Sequence, residues 1–200
     1  MSLKYLLVAG VSYLIGSFSS AYVLGKLLKK TDIRKFGSGN AGATNALRVF
    51  GKKIGILAFI LDMFKGILAV YLGGKIMGYN GELIGGLFAV IGHNWPIFLK
   101  FKGGKGIATS FGVLLSLHWP IAIISFIFFL LVVIITRYVS LGSILSAFLV
   151  PILGVVINKP FNRNYFITTL ILAILAIYRH RANIKRLIHG KEYKIGEKVE

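Results

Sequence analysis

The chain has 200 residues, of which 56% are hydrophobic, with a mean hydropathy of +0.78 and a formal net charge of +18. A charge-free run of 21 residues separates Lys4 from Lys26, which is long enough to cross a bilayer as a helix. The chain has no cysteine, which excludes disulfides, thiolate catalysis and sulfur ligands for metals. We therefore expect a polytopic, all-α membrane protein, because irregular backbone cannot be left facing lipid.

The first charge-free run has a second interpretation, as a cleaved signal peptide. Only Lys4 precedes the run, its apolar part is longer than the core of a signal peptide, and no soluble domain is predicted after it. A membrane span is the favoured interpretation.

The basic excess consists of 24 Lys and Arg against 6 Asp and Glu. In a soluble protein this balance would suggest a nucleic-acid partner. In a membrane protein it is typical of the positive-inside rule and of contact with anionic headgroups. We expect membrane lipids as partners and no nucleic acid, and the same charge would attract anionic substrates.

Charge-free runs and turn residues predict seven spans within one integral-membrane domain over residues 1–200. They lie at about 5–25, 54–74, 83–99, 106–118, 120–136, 139–157 and 165–178. The segment 106–136 is compatible with one long tilted helix or with two shorter ones. Its midpoint reads LHWP, which places Pro120 in the first turn of a new helix. The tail at 190–200 is expected to fray.

The positions of Lys and Arg favour seven spans over six. With seven, 19 basic residues lie on one side of the membrane and four on the other. With six, the tail would cross over and the bias would disappear. The N-terminus is therefore expected outside and the C-terminus in the cytoplasm, and three polar segments that are far apart in sequence then face the cytoplasm.

The first polar segment, GSGNAGATNALR, runs from Gly37 to Arg48. Its glycines allow positive φ and leave backbone N–H groups that can form an anion-binding nest. Arg48 offers a planar fork for phosphate or carboxylate, and Thr44 is expected to cap a helix that starts at Asn45. Further candidate ligands are Ser38, Gly39 and Asn40. The alternative interpretation is a flexible linker followed by a capped helix.

The second polar segment, FKGGKGIATS at 101–110, places Gly103 and Gly104 before Lys105 and an apolar helix. It is not a Walker A loop, because Leu99 stands where that pattern needs a glycine. A helix N-terminus with its dipole and N–H groups is nevertheless a phosphate site. The alternative is that these lysines only enforce topology.

The third polar segment, YRHRANIKRLIHGKE, contains His180 and Asn183. They share a helix face if the last span continues into the cytoplasm. A histidine can hold a proton near neutral pH, and an asparagine can orient a hydroxyl without charge. The alternative interpretation is an ordinary juxtamembrane basic helix.

Several residues near these segments have less specific interpretations. Asp62 and Lys65 are three apart within a span, and structural pairing is favoured there over a proton relay. His93, in GHNWP, has an interfacial or packing role as its simplest interpretation. Ser140 and Ser143 either line a site or pack helices.

Some chemistries are excluded by what the sequence lacks. Acidic residues near the cytoplasmic surface are too few for a clustered carboxylate metal site. No histidine is followed five residues later by aspartate, the pair used by the soluble-headed glycerolipid acyltransferases, and no GxSxG elbow is present.

Together, GSGNAGATNALR, GHNWPIFLKFKGGKGIAT and NIKRLIHGKE resemble the three signature motifs of the bacterial acyl-phosphate:glycerol-3-phosphate acyltransferases, the PlsY family. The likeness covers nearly the whole chain. It implies transfer of a fatty acyl group from acyl phosphate to the 1-hydroxyl of glycerol 3-phosphate. The products would be 1-acylglycerol 3-phosphate (lysophosphatidic acid) and inorganic phosphate, in the first step of phospholipid synthesis. It also implies no cofactor, no metal and a place in the bacterial inner membrane.

The resemblance also implies roles for individual residues by motif position. Ser38, Arg48, Lys105, His180 and Asn183 would be catalytic, and Glu192 structural. The substrate-binding set would be Gly37, Gly39, Asn40, Thr44, Asn45, Gly103, Gly104 and Ser143. In our hypothesis Arg48 and Lys105 clamp phosphates while His180 and Asn183 orient the glycerol hydroxyl. The base that takes the hydroxyl proton stays open between His180 and a substrate phosphate oxygen.

One rival function is a membrane transporter of a phosphorylated metabolite. Basic loops and glycine-broken spans suit that function too. It predicts access from both faces of the membrane, whereas the polar motifs here are predicted on one face.

Overall fold

The computed structural model describes residues 3–197, and within these it contains α-helices and short 3₁₀ turns but no strand. The helices are α1 (Leu3–Ser17), α2 (Ser20–Lys29), α3 (Ala43–Phe50), α4 (Lys52–Asn94), α5 (Ile107–Thr136), α6 (Val139–Ile157), α7 (Arg163–Arg179) and α8 (Arg181–Ile188). The 3₁₀ turns are η1 (Ile33–Lys35) and η2 (Ile97–Leu99). The all-α prediction is confirmed over the described residues.

The chain divides into two compact units. In the described residues, unit 1 comprises 3–116 with 196–197, and unit 2 is Leu117–Ile195. The division falls within α5, beside His118, whose backbone is not helical (φ −161°, ψ 83°). The LHWP pattern predicted a new helix at this point, with Pro120 in its first turn. The single domain expected from the sequence stays a prediction.

Within unit 1, α4 is a pair of antiparallel helices. Its 43 residues would measure about 65 Å if straight, roughly twice the hydrocarbon core. Met77 and Gly78 leave the helical conformation, and beyond them Gly81 lies against Gly73 while Gly85 lies against Ala69. The chain therefore turns back on itself between the predicted spans at 54–74 and 83–99.

Small residues allow the helices of unit 1 to approach closely. Gly92 of α4 packs on the backbone of Tyr13 in α1, and Gly66 of α4 packs on the carbonyl of Thr109 in α5. Membrane helices associate largely through such small-residue contacts, because lipid supplies no hydrophobic drive to bring them together.

The span predicted at 5–25 is interrupted in the structure. α1 ends at Ser17, and α2 begins at Ser20 after Ser19, which is extended (φ −98°, ψ 97°). The interruption exposes the carbonyl of Phe18, which accepts a hydrogen bond from Lys65 Nζ at 2.6 Å. A buried cation on α4 thus stabilises the break, and nothing in the local sequence of α1 signals it.

Unit 2 is built on the packing of α6 against α7. Tyr165 is buried and lies close to Gly154, where a side chain would crowd its ring. The backbone of Arg137, between α5 and α6, accepts a hydrogen bond from Ile195 N at 2.8 Å. The tail thus makes a backbone contact at Ile195, and its fraying stays a prediction. Residues 198–200 of that tail lie outside the described residues.

Four helical segments among the described residues are long and apolar enough to cross a membrane. They are Leu3–Lys29, Lys52–Leu99, Ile107–Thr136 and Val139–Ile157. Two of them contain the breaks at Gly78 and His118. The number of seven spans and their orientation stay predictions.

The glycine contacts give a first prediction. We expect Gly66→Ala to lower stability by about 1–3 kcal/mol, because its Cβ would meet the carbonyl of Thr109 and the backbones would have to separate. Gly10→Ala is the matched control, since Gly10 has open space around it in α1. The measurement is the thermal unfolding midpoint of each purified variant in detergent. Equal midpoints for the two variants would contradict the close packing described above.

Candidate functional site

Asn45, on α3, organises the first glycine-rich loop from within. Its side chain is only 2% exposed. The amide nitrogen lies 3.0 Å from the carbonyls of Phe36 and Asn40 and 3.3 Å from that of Ile33. The amide oxygen accepts a hydrogen bond from Ser38 N at 2.9 Å. These contacts give Asn45 a structural role in the loop that the sequence did not predict.

The loop glycines behave partly as predicted. Gly37 and Gly39 have positive φ of 58° and 69°, whereas Gly42 is extended with φ −112°. A side chain at Gly37 would also overlap the amide oxygen of Asn45. The expectation of free N–H groups fails at Gly39, which donates to the carbonyl of Phe36 at 3.0 Å.

The predicted helix start at Asn45 was wrong, as was the predicted cap at Thr44. α3 begins at Ala43, and the residue before it, Gly42, accepts backbone hydrogen bonds from Asn45 and Ala46, both at 3.1 Å. Thr44 therefore stands inside the first turn and is half-buried. Gly42 is the residue at the N-cap position, and it makes no side-chain cap hydrogen bond.

The side chains predicted to bind anions in this segment are partly exposed. Ser38 and Asn40 lie in the loop, and Arg48 lies in the last turn of α3. The amide of Asn40 approaches the carbonyl of Gly103 at 3.5 Å. This contact brings the first and second glycine-rich segments together within unit 1.

The second loop needs glycines mainly for steric reasons. A side chain at Gly103 would overlap the carbonyl of His93, and one at Gly104 would overlap the His93 ring. Gly104 N also donates to His93 O at 3.0 Å. Among the glycines of this loop, only Gly106 has positive φ (80°). Lys105, partly exposed, stands two residues before α5 begins.

Arg34 forms a second link, between the 3₁₀ turns η1 and η2 that precede the two loops. Its guanidinium binds both carboxylate oxygens of Asp32, at 2.7 and 3.0 Å, and donates to the carbonyl of Leu99 at 3.2 Å. The hydrogen bond from Arg34 lowers the pKa of Asp32, against the opposing effect of burial, and Asp32 raises the pKa of Arg34. Both groups are therefore charged at neutral pH, and the link persists there.

A buried polar cluster lies behind the second loop. Asp62, Lys65 and His93 are 1%, 5% and 5% exposed. Lys65 Nζ lies 3.0 Å from Asp62 Oδ1 and 2.8 Å from His93 Nδ1. Ser20 donates to the same carboxylate oxygen at 2.8 Å. The predicted pairing of Asp62 with Lys65 is confirmed, and His93 belongs to the same cluster.

In unit 2, His180 forms the junction between α7 and α8 and is buried. Its Nδ1 lies 2.7 Å from the carbonyl of Ala176. Because a carbonyl only accepts, Nδ1 carries the hydrogen, and in the neutral ring Nε2 is then the acceptor. The backbone thus fixes the tautomer and the direction of this imidazole.

Asn183 is also buried, and Glu192 orients it. Glu192 Oε1 accepts from Asn183 Nδ2 at 2.7 Å and from Ser140 Oγ at 3.1 Å. Its other oxygen accepts from Arg186 Nε at 2.7 Å. The tail residue Glu192 is therefore held from three directions, which fits the structural role that the resemblance implies.

Ser143 lies on α6 and is buried. Its hydroxyl donates to the carbonyl of Val139, one turn earlier, at 2.9 Å. The hydroxyl hydrogen is therefore engaged within the helix, while its oxygen keeps acceptor capacity. Among residues 3–197, no group of three or more His, Asp or Glu side chains is placed to hold a metal.

A model of the glycerol-3-phosphate acyltransferase family matches residues 6–190 of the chain. The chain belongs to this family. The glycerol-3-phosphate acyltransferases of Finegoldia magna and Thermoanaerobacter pseudethanolicus are 50% and 49% identical to it. The first similarity covers 98% of this chain and 100% of the relative, and the second covers 97% of each.

Two crystal structures of PlsY, an integral membrane glycerol 3-phosphate acyltransferase, share this fold. The glycerol 3-phosphate form has a TM-score of 0.90 and 39% identity, over 96% of each chain. The lysophosphatidic acid form has a TM-score of 0.87 and 38% identity, over 96% of this chain and 95% of that one. With its apolar helices, this member of the acyltransferase family is a membrane protein.

Sequence reasoning missed the residues that shape the acyltransferase loops from behind. Arg34 and His93 received no functional role, although the GHNWP motif flanks the glycine loop. Their contacts join residues 65 and 28 positions apart. Only the position of His93 within the second motif could have indicated its importance.

The buried ion pair generates a second prediction. We expect Lys65→Met to lower stability by about 3–5 kcal/mol, because Asp62 would remain buried without its cation. The double variant Asp62→Asn/Lys65→Met should recover most of this loss, since no uncompensated charge remains. Thermal unfolding in detergent measures both variants. A double variant no more stable than the single one would show that charge compensation is not the cause.

The contacts of Glu192 generate a third prediction. We expect Glu192→Ala to cost about 1–3 kcal/mol, because the buried Asn183 and Ser140 lose their acceptor. Lys185→Ala, an exposed change on α8, is the control and should have little effect. Unfolding midpoints in detergent compare them, and a midpoint equal to that of the control would remove the structural role of Glu192.

Proposed function

We infer that this chain is a glycerol-3-phosphate acyltransferase of the first step of phospholipid synthesis, and we propose acyl phosphate as its acyl donor. The products are 1-acylglycerol 3-phosphate (lysophosphatidic acid) and inorganic phosphate. The observation that carries the proposal is the linked pair of glycine-rich loops in unit 1, on a chain about half identical to named acyltransferases over nearly its whole length.

The proposed setting is the bacterial inner membrane, with seven spans and the reacting groups facing the cytoplasm. The support for this topology is the distribution of 24 Lys and Arg along the chain under the positive-inside rule. The breaks at Gly78 and His118 supply turns where two of the predicted spans would end. Anionic lipids are proposed neighbours of the basic surface.

Acyl phosphate suits a chain that has no cysteine. Its phosphate is already a good leaving group, so the glycerol hydroxyl can attack the acyl carbon directly. A carbon–oxygen ester bond forms, the bond from the acyl carbon to the phosphate oxygen breaks, and inorganic phosphate leaves. Holding hydroxyl and carbonyl together can supply about 7–11 kcal/mol in favourable cases.

Within unit 1, Arg48, Lys105 and Ser38 are the proposed anion ligands. Both substrates carry phosphate, and a guanidinium fork with a lysine can bind two such groups. The N–H groups of Ser38, Gly39 and Gly104 are already engaged by the protein. The side chains and the N-terminus of α5 therefore carry the proposed binding, while the glycines shape the loops.

Within unit 2, His180 and Asn183 are proposed to orient the glycerol hydroxyl. The bond from His180 Nδ1 to Ala176 leaves Nε2 as the acceptor of a neutral ring. Glu192 fixes the amide nitrogen of Asn183 and so directs its oxygen. The proton of the attacking hydroxyl passes to His180 Nε2 or to a phosphate oxygen of the substrate. Ser143 is proposed as a further acceptor toward substrate.

The fourth prediction tests the reaction itself. Purified protein in detergent micelles is given palmitoyl phosphate and glycerol 3-phosphate, and released inorganic phosphate is followed. We expect release that requires glycerol 3-phosphate, does not occur with palmitoyl-coenzyme A, and falls at least about 100-fold for Lys105→Ala.

Two results would contradict these expectations. Turnover with the coenzyme A thioester would replace the proposed donor. Folded protein without turnover would remove the acyltransferase proposal, and uptake of a phosphate ester into sealed vesicles would then test the transporter instead.

A further inference from the structure

The ammonium of Lys65 fixes the protonation of His93. Its three hydrogens have three acceptors, which are Phe18 O at 2.6 Å, Asp62 Oδ1 at 3.0 Å and His93 Nδ1 at 2.8 Å. An ammonium only donates, so Nδ1 is the acceptor and the neutral ring carries its hydrogen on Nε2. The ring is therefore held in one tautomer and one orientation.

The other edge of the His93 ring faces the second glycine loop. The place of a Cβ at Gly104 is filled by His93 Nε2, with Cε1 and Cδ2 at 2.7 and 2.9 Å from it. The backbone of the same histidine contacts the loop as well, because its carbonyl accepts from Gly104 N at 3.0 Å. His93 thus supports the residue next to Lys105 through both ring and backbone.

If packing were the only requirement, apolar residues in place of Asp62 and Lys65 would fill the core at a lower cost in free energy. Burying two charges is expensive, and apolar residues of similar volume are often as stable or more stable. Asp62 and Lys65 are nonetheless almost wholly buried within α4, at the position that orients His93. An anion-binding loop rich in glycine needs such a rigid support, because its backbone has no side chains to fix it.

We propose that His93 is a positioning residue of the second glycine loop: its ring, oriented by the Asp62–Lys65 pair, holds Gly104 and thereby sets the place of Lys105 for substrate phosphate. This inference rests on the proposed function, because it assigns a phosphate to that loop. His93 itself does not touch the reacting atoms.

Two substitutions of His93 test the contacts of the two ring edges separately. In His93→Asn the side-chain amide reaches as far as Nδ1, so the contact with Lys65 is kept and that with Gly104 is lost. In His93→Gln the amide reaches as far as Nε2, so the loop contact is kept. His189→Ala, an exposed histidine on the tail side of α8, is the control.

Direct binding is measured by calorimetry on the full chain in detergent, with glycerol 3-phosphate and palmitoyl phosphate in separate titrations. We expect His93→Asn to lower by about tenfold the affinity for the same substrate whose affinity Lys105→Ala lowers. The affinity for the other substrate should not change. The KM for each substrate should change in proportion to its dissociation constant. His93→Gln and His189→Ala should remain within about threefold of the unaltered protein.

The double variant His93→Asn/Lys105→Ala tests whether the two residues act together. We expect the two effects not to add, because Lys105 is the group that His93 positions. Additive effects, equal weakening of both substrates, or unchanged binding by His93→Asn would each overturn the inference. Binding without turnover by the unaltered protein would remove the proposed function while the binding comparison still decides the role of His93. Binding of neither substrate would remove both.

Discussion

The ammonium of Lys65 is the contact on which the organisation of unit 1 depends. One nitrogen joins the broken end of α1, the first half of α4 and the second half of α4, through Phe18, Asp62 and His93. Each of these partners lies on a different segment, and the Asp62 oxygen also accepts from Ser20 at 2.8 Å. A charge inside a membrane helix is expensive, so its three hydrogen bonds must all be made for the arrangement to be stable.

The two glycine-rich loops are shaped by different physical requirements. In the first, Gly37 and Gly39 adopt positive φ around the buried side-chain amide of Asn45. This amide makes the hydrogen bonds to the loop backbone that regular secondary structure would otherwise supply. In the second, Gly103 and Gly104 have no positive φ, and the residue behind them leaves no room for a side chain. A substitution would therefore disturb the two loops for different reasons. A residue in place of Gly37 would be strained by the positive φ, whereas a side chain in place of Gly104 would collide with the His93 ring.

Local features of the fold were predictable from sequence, whereas contacts at a distance were not. The break at His118 follows from Pro120 in LHWP, since proline is suited to a first turn. The pairing of Asp62 with Lys65 follows from a spacing of three. The helix cap predicted at Thr44 was wrong, because α3 begins at Ala43 and the cap position is Gly42, two residues earlier. The break after Ser17 could not be predicted, because the residue that stabilises it is 47 positions away.

The same limit applies to the candidate site. The three polar segments were found from residue types, because phosphate binding requires glycine, small hydroxyls and cations. The supporting residues were missed, because a buried histidine or asparagine has no distinctive spacing until its partners are known. Asn45 shows this well: its chemistry suggested a ligand, and its contacts give it a place inside the loop.

Acidic residues are scarce in this chain and mainly hold other groups in place. Only 6 Asp and Glu face 24 Lys and Arg, and a carboxylate near a phosphate site would repel the substrate. In the part of the chain that the structure describes, Asp32 is paired with Arg34, Asp62 with Lys65, and Glu192 with Arg186. Each pair also holds a further group: Arg34 binds the carbonyl of Leu99 before the second loop, Lys65 binds His93, and Glu192 binds Asn183. Negative charge is therefore neutralised where it is used for support, and the cations of the glycine loops keep their attraction for phosphate.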